Sequence, residues 1–187
     1  MTRSRRALLA ALMATAAPAA AAERDGATFP DRLDAAGTTL TLNGTATRTY
    51  SPLRIRVYVA ALYLARPSRD AAAILASPDP KAVLVRYLRP VARDDAAKAW
   101  RHYLDANCPA PACRLAPDAL AHFEAALGPV RAGDAQRFVF TAEGVEIAAG
   151  GDAATAIRDP AFARVLLATW IGDAPTSEAV RRGLLGG

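Results

Sequence analysis

Five side chains in the sequence could recognise an oxyanion: Arg48, Arg54, Arg56, Tyr58 and Lys98. An arginine presents a planar fork of N–H donors that matches the two oxygens of a carboxylate, and a phenol adds one more donor. Arginine and tyrosine on one face of a sheet could therefore hold a carboxylate or an enolate. A solvated sheet face would carry the same residue types, and periodicity alone favours that simpler interpretation.

The other familiar catalytic patterns are absent from the sequence. It has no G-x-S-x-G elbow, no H-E-x-x-H, no glycine-rich phosphate loop and no C-x-x-C. His102 and His122 fall on separate predicted helices without an acidic partner in the sequence. Asp94 and Asp95 fall at a predicted helix N-terminus, where the helix dipole is a sufficient explanation. The sequence therefore predicts neither a metal site nor a cofactor.

Two predicted strands would position the candidate side chains. Residues 38–42 alternate in polarity, and Asn43-Gly44 then predicts a two-residue hairpin turn into a partner strand, 45–50, that carries Arg48. Residues 53–65 predict a long strand. On strict alternation, one face of that strand carries Arg54, Arg56 and Tyr58.

The rest of the chain alternates between short strands and helices. Residues 23–34 are predicted to be a loose lead-in. Strands are predicted at 81–88, 137–141, 145–149 and 153–157, and helices at 68–75 (capped by Ser68), 93–107, 117–127, 160–171 (capped by Asp159) and 177–185. This order predicts an α+β fold, one antiparallel sheet covered on one face by helices, in a single domain over residues 23–187.

Residues 1–22 have the pattern of a cleaved signal peptide. Three arginines (Arg3, Arg5 and Arg6) precede an apolar segment at 7–17, and alanines at 20–22 suit cleavage before Glu23. We therefore expect an exported, periplasmic protein. An uncleaved membrane anchor is the alternative, and the sequence leaves the secretory and twin-arginine export routes both open.

Charge and hydropathy argue against nucleic-acid binding and against a membrane span after residue 22. Removal of the signal peptide would lower the net charge from +5 to 5 − 3 = +2. No block of Lys and Arg is interleaved with aromatic residues, so nucleic acid is not expected as a partner. After residue 22 no apolar run is long enough to span a membrane.

The two cysteines lie close together in a proline-rich segment. Cys108 and Cys113 are five residues apart, a spacing that permits a local disulfide. Free thiols are the alternative. With no further cysteine and no suitably spaced histidine, the pair is a poor zinc site.

Several segments together resemble the chalcone isomerase family, and most closely its exported bacterial chalcone isomerase-like branch. The resemblance runs from about residue 38 to 185. It rests on Leu42-Asn43-Gly44, Arg48, VYVAALYL at 57–64, KAWR at 98–101, FARVLL at 162–167 and WIGDAP at 170–175. It implies an open-faced β-sandwich: a large antiparallel sheet, helices layered on one face, and a ligand cleft between the two.

The family includes enzymes and binding proteins. Plant members close a chalcone to a flavanone, with an arginine that stabilises the enolate, and sister proteins bind fatty acids through the same arginine and a tyrosine. By resemblance, Arg48 is that arginine, Tyr58 matches the tyrosine of the binders, and Lys98 matches the active-site lysine.

By the same resemblance, Tyr58 stands where the isomerases carry a catalytic threonine, and three further positions depart from the pattern of the enzymes. Asp95, His102 and Ala163 replace a tyrosine, an asparagine and a Ser/Thr of the isomerases. The resemblance therefore implies a binder of a fatty-acid-like or other small carboxylate ligand, without a cofactor, more than a chalcone-cyclising enzyme.

Two alternatives stay open at this point. The first is a cofactor-free isomerase, or intramolecular lyase, acting on a small enol- or phenol-bearing substrate, with Arg48, Tyr58 and Lys98 as its catalytic residues. The second is an envelope interaction protein in which the cleft has no function. The sequence does not specify the oligomeric state.

Overall fold

The computed structural model describes residues 21–50, 53–150 and 153–187. Its strands are β1 (Ala21–Arg24), β2 (Ala27–Pro30), β3 (Arg32–Ala35), β4 (Thr38–Tyr50), β5 (Ile55–Leu64), β6 (Lys81–Tyr87), β7 (Ala135–Thr141), β8 (Gly144–Ala149) and β9 (Thr155–Ile157). Its helices are α1 (Ala71–Ala76), α2 (Arg93–Asn107), α3 (Pro117–Ala126), α4 (Pro160–Ile171) and α5 (Glu178–Leu184).

Strands β3 to β9 form one seven-stranded sheet in sequence order, each antiparallel to its neighbours. Helix α1 connects β5 to β6, α2 and α3 connect β6 to β7, and α4 and α5 follow β9. Buried residues of all five helices join one apolar cluster with one face of the sheet. The predicted α+β fold, with helices layered on one face, is confirmed.

The helix-side core is built from interlocking aromatic rings. Trp170, Phe123 and Phe162 are fully buried. The ring of Trp100 packs edge-on against Phe123 at 5.5 Å and against Trp170 at 5.1 Å. These four aromatic residues, at helical spacing along α2, α3 and α4, form the centre of the helix-side core, because large rings bury the most apolar area per residue.

The opposite face of the sheet is covered in part by the β1–β2 hairpin. Phe29 is fully buried there, and the Tyr63 hydroxyl donates to the Pro30 carbonyl at 2.9 Å. The prediction of a loose lead-in at 23–34 was wrong. The strands are only four residues long, too short for a clear alternation, and Asp25 (φ 49°) and Gly26 (φ 79°) close the turn.

The predicted cleavage point, between Ala22 and Glu23, falls within β1, where Ala22 pairs with Phe29. Residues 1–20 of the predicted signal peptide lie outside the described residues.

The predicted hairpin turn at Asn43-Gly44 was also wrong, because β4 continues through it for 13 residues. The register steps from Leu42↔Tyr63 to Gly44↔Leu62, so Asn43 is the extra residue of a β-bulge. Its side chain bonds to other segments. Nδ2 donates to the carbonyls of Ser68 (3.0 Å) and Leu184 (2.8 Å), and Oδ1 accepts from the Ser68 N–H (2.8 Å). We call these contacts the Asn43 clamp.

Ser68 is not the cap of α1. Its backbone is engaged by Asn43, and the helix begins two residues later than predicted, with Asp70 accepting from the Ala73 N–H at 3.0 Å. The other predicted cap is confirmed: Asp159 accepts from the Phe162 N–H. Ser177 caps the last helix in the same way, accepting from the Val180 N–H.

Cys108 and Cys113 form a disulfide, with their Cα atoms 4.9 Å apart. The bridge closes the segment between α2 and α3, and confirms the local pairing.

Candidate functional site

The bulge at Asn43 turns Arg48 towards the helices. Before the bulge, Leu40 and Leu42 pack on the hairpin side of the sheet. After it, Ala46 belongs to the helix-side core, and Arg48, two residues on, shares its face. A strictly alternating strand would have put all four on one face, so the bulge decides on which side Arg48 acts.

A second bulge, on the neighbouring strand, puts Tyr58 and Arg56 on different faces of the sheet. Arg48 pairs directly with Tyr58, and the next pair is Thr49↔Arg56, which leaves Val57 as an extra residue. Tyr58 packs against the helix-side core, whereas Arg56 bonds to Asp25 at the tip of the β1–β2 hairpin at 2.6 Å. The prediction that Arg56 and Tyr58 share a face was therefore wrong.

Helix α2 adds Tyr103 to this pair. Arg48 Nη2 donates to the Tyr103 hydroxyl at 2.9 Å, and that hydroxyl is 3.4 Å from the Thr176 carbonyl. The Tyr58 hydroxyl is 3.5 Å from Thr176 Oγ1. The sheet, helix α2 and the segment after α4 thus converge on one point.

Thr176 is positioned by the turn that follows α4. The Gly172 N–H bonds to the Ala168 carbonyl at 2.7 Å, and the Thr176 N–H to the Thr169 carbonyl at 2.7 Å. Asn107 on α2 donates to the Ala174 carbonyl at 2.7 Å. A Cβ at Gly172 would lie 2.7 Å from the Ala168 carbonyl oxygen, so this turn requires glycine. The WIGDAP segment therefore fixes the threonine over the strands.

A fifth polar side chain, that of Trp170, lies near the Tyr58 hydroxyl, whose pKa its N–H lowers. Trp170 Nε1 is buried and has no hydrogen-bond partner among the described residues. We call the five residues the Arg48 cluster: Arg48, Tyr58, Tyr103, Trp170 and Thr176.

The Arg48 cluster is rich in donors and contains no carboxylate. Arg48 forms no ion pair with any described residue. Arg48 Nη1 also donates a hydrogen bond to the Thr49 carbonyl. Burial raises the pKa of Tyr58, while the Thr176 hydroxyl, the Arg48 charge and the Trp170 N–H act in the opposite direction. Tyr58 is therefore a neutral donor at physiological pH.

The ring of Tyr87 supports that of Tyr58 from β6, with ring centroids 6.1 Å apart. Burial also raises the pKa of Tyr87, whose hydroxyl donates to Gln136 Oε1 at 2.8 Å. The Tyr87 hydroxyl proton thus already has an acceptor inside the core, so Tyr87 does not add a donor to the Arg48 cluster.

Other residues singled out in the sequence lie apart from the cluster. Lys98 is exposed on α2, and its ammonium makes no hydrogen bond or ion pair in the described part of the chain. Arg54 is exposed just before β5, with φ 52°. Asp95 and His102 are exposed on α2, and Ala163 is buried in the core.

Tyr103 and Thr176 were missed as site residues. The helical spacing places Tyr103 on the apolar face of α2, although a half-buried tyrosine needs a partner for its hydroxyl, and that need is the available signal. For Thr176 the sequence offered no comparable signal, because the turn that places it depends on contacts with α2.

Two cavities lie elsewhere. One, of about 170 Å³, is bordered by α1 and by Leu64 and Lys81. The other, of about 430 Å³, lies between the β1–β2 hairpin and the end of β6, beside Arg86 and Gly133. Neither is lined by a member of the Arg48 cluster.

Within the described ranges, no group of three or more His, Cys, Asp or Glu side chains could hold a metal ion. No helix in those ranges is long and apolar enough to cross a membrane.

Comparison with known proteins identifies the class. A family model described as chalcone isomerase-like matches residues 21–186, almost the whole chain. The chain belongs to the chalcone isomerase-like family. The crystal structure of a fatty-acid binding protein from Arabidopsis thaliana matches with a TM-score of 0.69 and 13% identity, over 89% of this chain and 96% of that one. At that identity the match establishes a shared fold. No curated protein matches the sequence.

Proposed function

We propose that this protein is an exported, cofactor-free binder of a fatty-acid-like ligand, whose carboxylate is held by Arg48 and Tyr58. The apolar tail would enter between the sheet and the helices, where aromatic and aliphatic side chains line the helix-side core. The fatty-acid binding protein from Arabidopsis thaliana, which shares the fold, supports this ligand class.

One observation carries the proposal: Arg48 is a partly buried cation that bonds to a tyrosine hydroxyl and a backbone carbonyl, without a carboxylate partner in the described residues. Buried charges are normally paired, because an unpaired charge in an apolar setting is costly. A ligand carboxylate would supply the missing charge and the missing acceptors. It would take over the Arg48 N–H that now reaches the Tyr103 hydroxyl.

An isomerase acting at the same residues is less well supported. It would need a group that accepts or donates a proton near neutral pH. The raised pKa of Tyr58 keeps that phenol protonated near neutral pH, so it is not available as a general base, and the exposed Lys98 ammonium contacts no member of the Arg48 cluster. Binding requires neither group to change its protonation state.

Export is supported by two features. The basic and apolar N-terminal pattern suits a signal peptide, and the Cys108–Cys113 disulfide suits an oxidising compartment such as the periplasm. An intact mass that lacks residues 1–22, measured on protein purified from its own host, would support this part of the proposal.

The same sample tests the ligand. Solvent extraction followed by mass spectrometry should release a stoichiometric carboxylic acid, and calorimetry with sodium dodecanoate should give saturable binding to the emptied protein. Arg48→Gln should weaken dodecanoate binding by about 30-fold or more, since loss of one partner of a desolvated charge pair costs about 2 kcal/mol or more.

The matched control is Arg164→Gln, which neutralises an exposed arginine on α4 and should leave the affinity unchanged. An empty extract and no dodecanoate binding would overturn the proposal. Saturable turnover of an enolisable substrate, lost in Arg48→Gln, would favour the isomerase instead. If neither binding nor turnover is found and Arg48→Gln alters stability alone, the remaining reading is an interaction protein.

A further inference from the structure

Trp170 carries a polar group that the fold leaves without a partner. It is fully buried, and its Nε1 is the one buried side-chain nitrogen or oxygen in the described residues without a hydrogen bond. Nearly all buried polar groups in folded proteins have partners, so each exception needs an explanation.

The indole cannot turn to find an acceptor elsewhere. Its ring packs edge-on against Trp100 and Phe138, with centroids 5.1 Å away in both cases. Helix α4, which carries it, is fixed at its start by the Asp159 cap and at its end by the turn at Gly172. The direction of the N–H bond is therefore set by the core.

The indole nitrogen lies at the Arg48 cluster. The carbonyl of Thr169, the residue before Trp170, accepts from the Thr176 N–H, and Thr176 Oγ1 is 3.5 Å from the Tyr58 hydroxyl. The Trp170 N–H also lowers the pKa of Tyr58, in opposition to burial, because it lies near the phenol oxygen. It makes no well-formed hydrogen bond to that oxygen, so a buried donor at the cluster is left without a matched acceptor.

We infer that Trp170 Nε1–H is a ligand-binding donor that, together with Arg48, holds the two oxygens of a bound carboxylate, one from helix α4 and one from strand β4. This inference rests on the proposed function and adds to it a residue and a selectivity. An ionised carboxylate offers acceptors to both donors, whereas an alcohol or an ester of equal length satisfies them poorly.

Indole nuclear magnetic resonance tests the inference directly. The chain has two tryptophans, so ¹⁵N labelling gives two indole N–H signals, and Trp100→Phe assigns them. Sodium dodecanoate should move the Trp170 indole proton downfield, as a new hydrogen bond does, and should move the Trp100 signal much less. Dodecanol and methyl dodecanoate should not reproduce the downfield shift.

A shape-preserving substitution gives a second measurement. Trp170→Phe could disturb the core, so Trp170 is replaced by 3-benzothienylalanine, in which sulfur takes the place of the N–H. Affinity for dodecanoate should fall by about tenfold or more, since a hydrogen bond to a charged group contributes roughly 10- to 100-fold, and affinity for dodecanol should stay the same.

The outcomes separate the two proposals. If dodecanoate binds by calorimetry while the Trp170 signal stays in place, or if the sulfur analogue binds dodecanoate as well as the natural chain does, the inference is overturned and the proposed function stands. If dodecanoate does not bind at all, both are overturned.

Discussion

Strand β4 carries two polar sites five residues apart, and they differ in how well their hydrogen bonds are matched. In the Asn43 clamp, the side-chain amide donates at 3.0 and 2.8 Å and its oxygen accepts at 2.8 Å. In the Arg48 cluster, the two contacts to Thr176 are 3.4 and 3.5 Å long and one indole N–H has no acceptor.

The difference separates a structural site from a binding site. A buried polar group with matched partners stabilises the fold, whereas an unmatched donor destabilises it. The Asn43 clamp ties β4 to the start of α1 and to the end of α5, and it is complete as it stands. The Arg48 cluster becomes complete when an acceptor arrives. We therefore expect changes at the first site to lower stability and changes at the second to lower affinity.

The largest effect on stability is expected for Gly44→Ala, beside the clamp. A Cβ at this position would lie 2.2 Å from the Gly183 carbonyl oxygen and 2.8 Å from that of Leu184. Because both obstacles are backbone atoms of α5, the helix must move off the strand and the Asn43 bond to Leu184 must break. Thermal unfolding should show a loss of about 3 kcal/mol, a fall of roughly 6 to 12 °C in Tm.

Gly128→Ala is the control for Gly44→Ala. A Cβ at Gly128 would have no atom within 4 Å, so its Tm should stay close to that of the natural chain. If Gly44→Ala melted at the same temperature as Gly128→Ala, the close packing of α5 on β4 would be refuted.

Tyr58→Phe should lower the affinity for dodecanoate and leave the stability almost unchanged. It removes a donor from the Arg48 cluster that makes only one long contact in the fold, so Tm should change little. Dodecanoate affinity, measured by calorimetry, should fall about 10- to 100-fold, the usual range for a hydrogen bond to a charged group.

Tyr63→Phe is the matched substitution on the same strand. The Tyr63 hydroxyl donates to the Pro30 carbonyl at 2.9 Å, on the hairpin side of the sheet. Its removal should lower stability by about 1 kcal/mol and leave the affinity unchanged. Equal affinity losses in Tyr58→Phe and Tyr63→Phe would mean that the Arg48 cluster has no special relation to the ligand.

Elements with strong local signals were predictable from the sequence. Helix α2 has the predicted bounds, and Pro160 with the Asp159 cap located the start of α4. The β1–β2 hairpin and the Asn43 bulge were not predictable in this way. At Asn43 the local turn propensity of Asn-Gly is overridden by bonds to residues 25 and 141 positions away along the chain.

The site was predictable only as far as its strand residues. Arg48 and Tyr58 do lie side by side, in direct register. The grouping of Tyr58 with Arg56 failed because strict alternation cannot anticipate the extra residue at Val57. Tyr103, Trp170 and Thr176 reach the same point only through the packing of two helices on the sheet, which no local pattern encodes.

The smallest effect is expected on the opposite face, where Arg56 has the carboxylate partner that Arg48 lacks. Asp25 accepts from Arg56 at 2.6 Å and from the Thr47 hydroxyl, and these two hydrogen bonds, Thr47 first, lower the pKa of Asp25 below its ordinary value of 3.8. The folded state therefore favours the ionised carboxyl. The resulting stability is present above pH 3.8 and is lost as the pH falls through the lowered value.

Asp25→Asn should consequently lower Tm slightly at neutral pH, by less than about 1 kcal/mol in stability, because the side chain of Arg56 is 60% exposed and salt screens the pair. The difference from the natural chain should shrink in high salt and vanish at strongly acid pH. Asp79→Asn, which breaks an exposed pair with Arg66 at 3.5 Å, is the control and should change Tm even less.

A Tm difference between Asp25→Asn and the natural chain that stayed constant into strong acid would mean that the substitution disturbs the hairpin turn itself. In that case the charge of Asp25 would not stabilise the contact between the hairpin and the sheet. The ion pair of Arg56 would then contribute no measurable stability, and its comparison with the unpaired Arg48 would not hold.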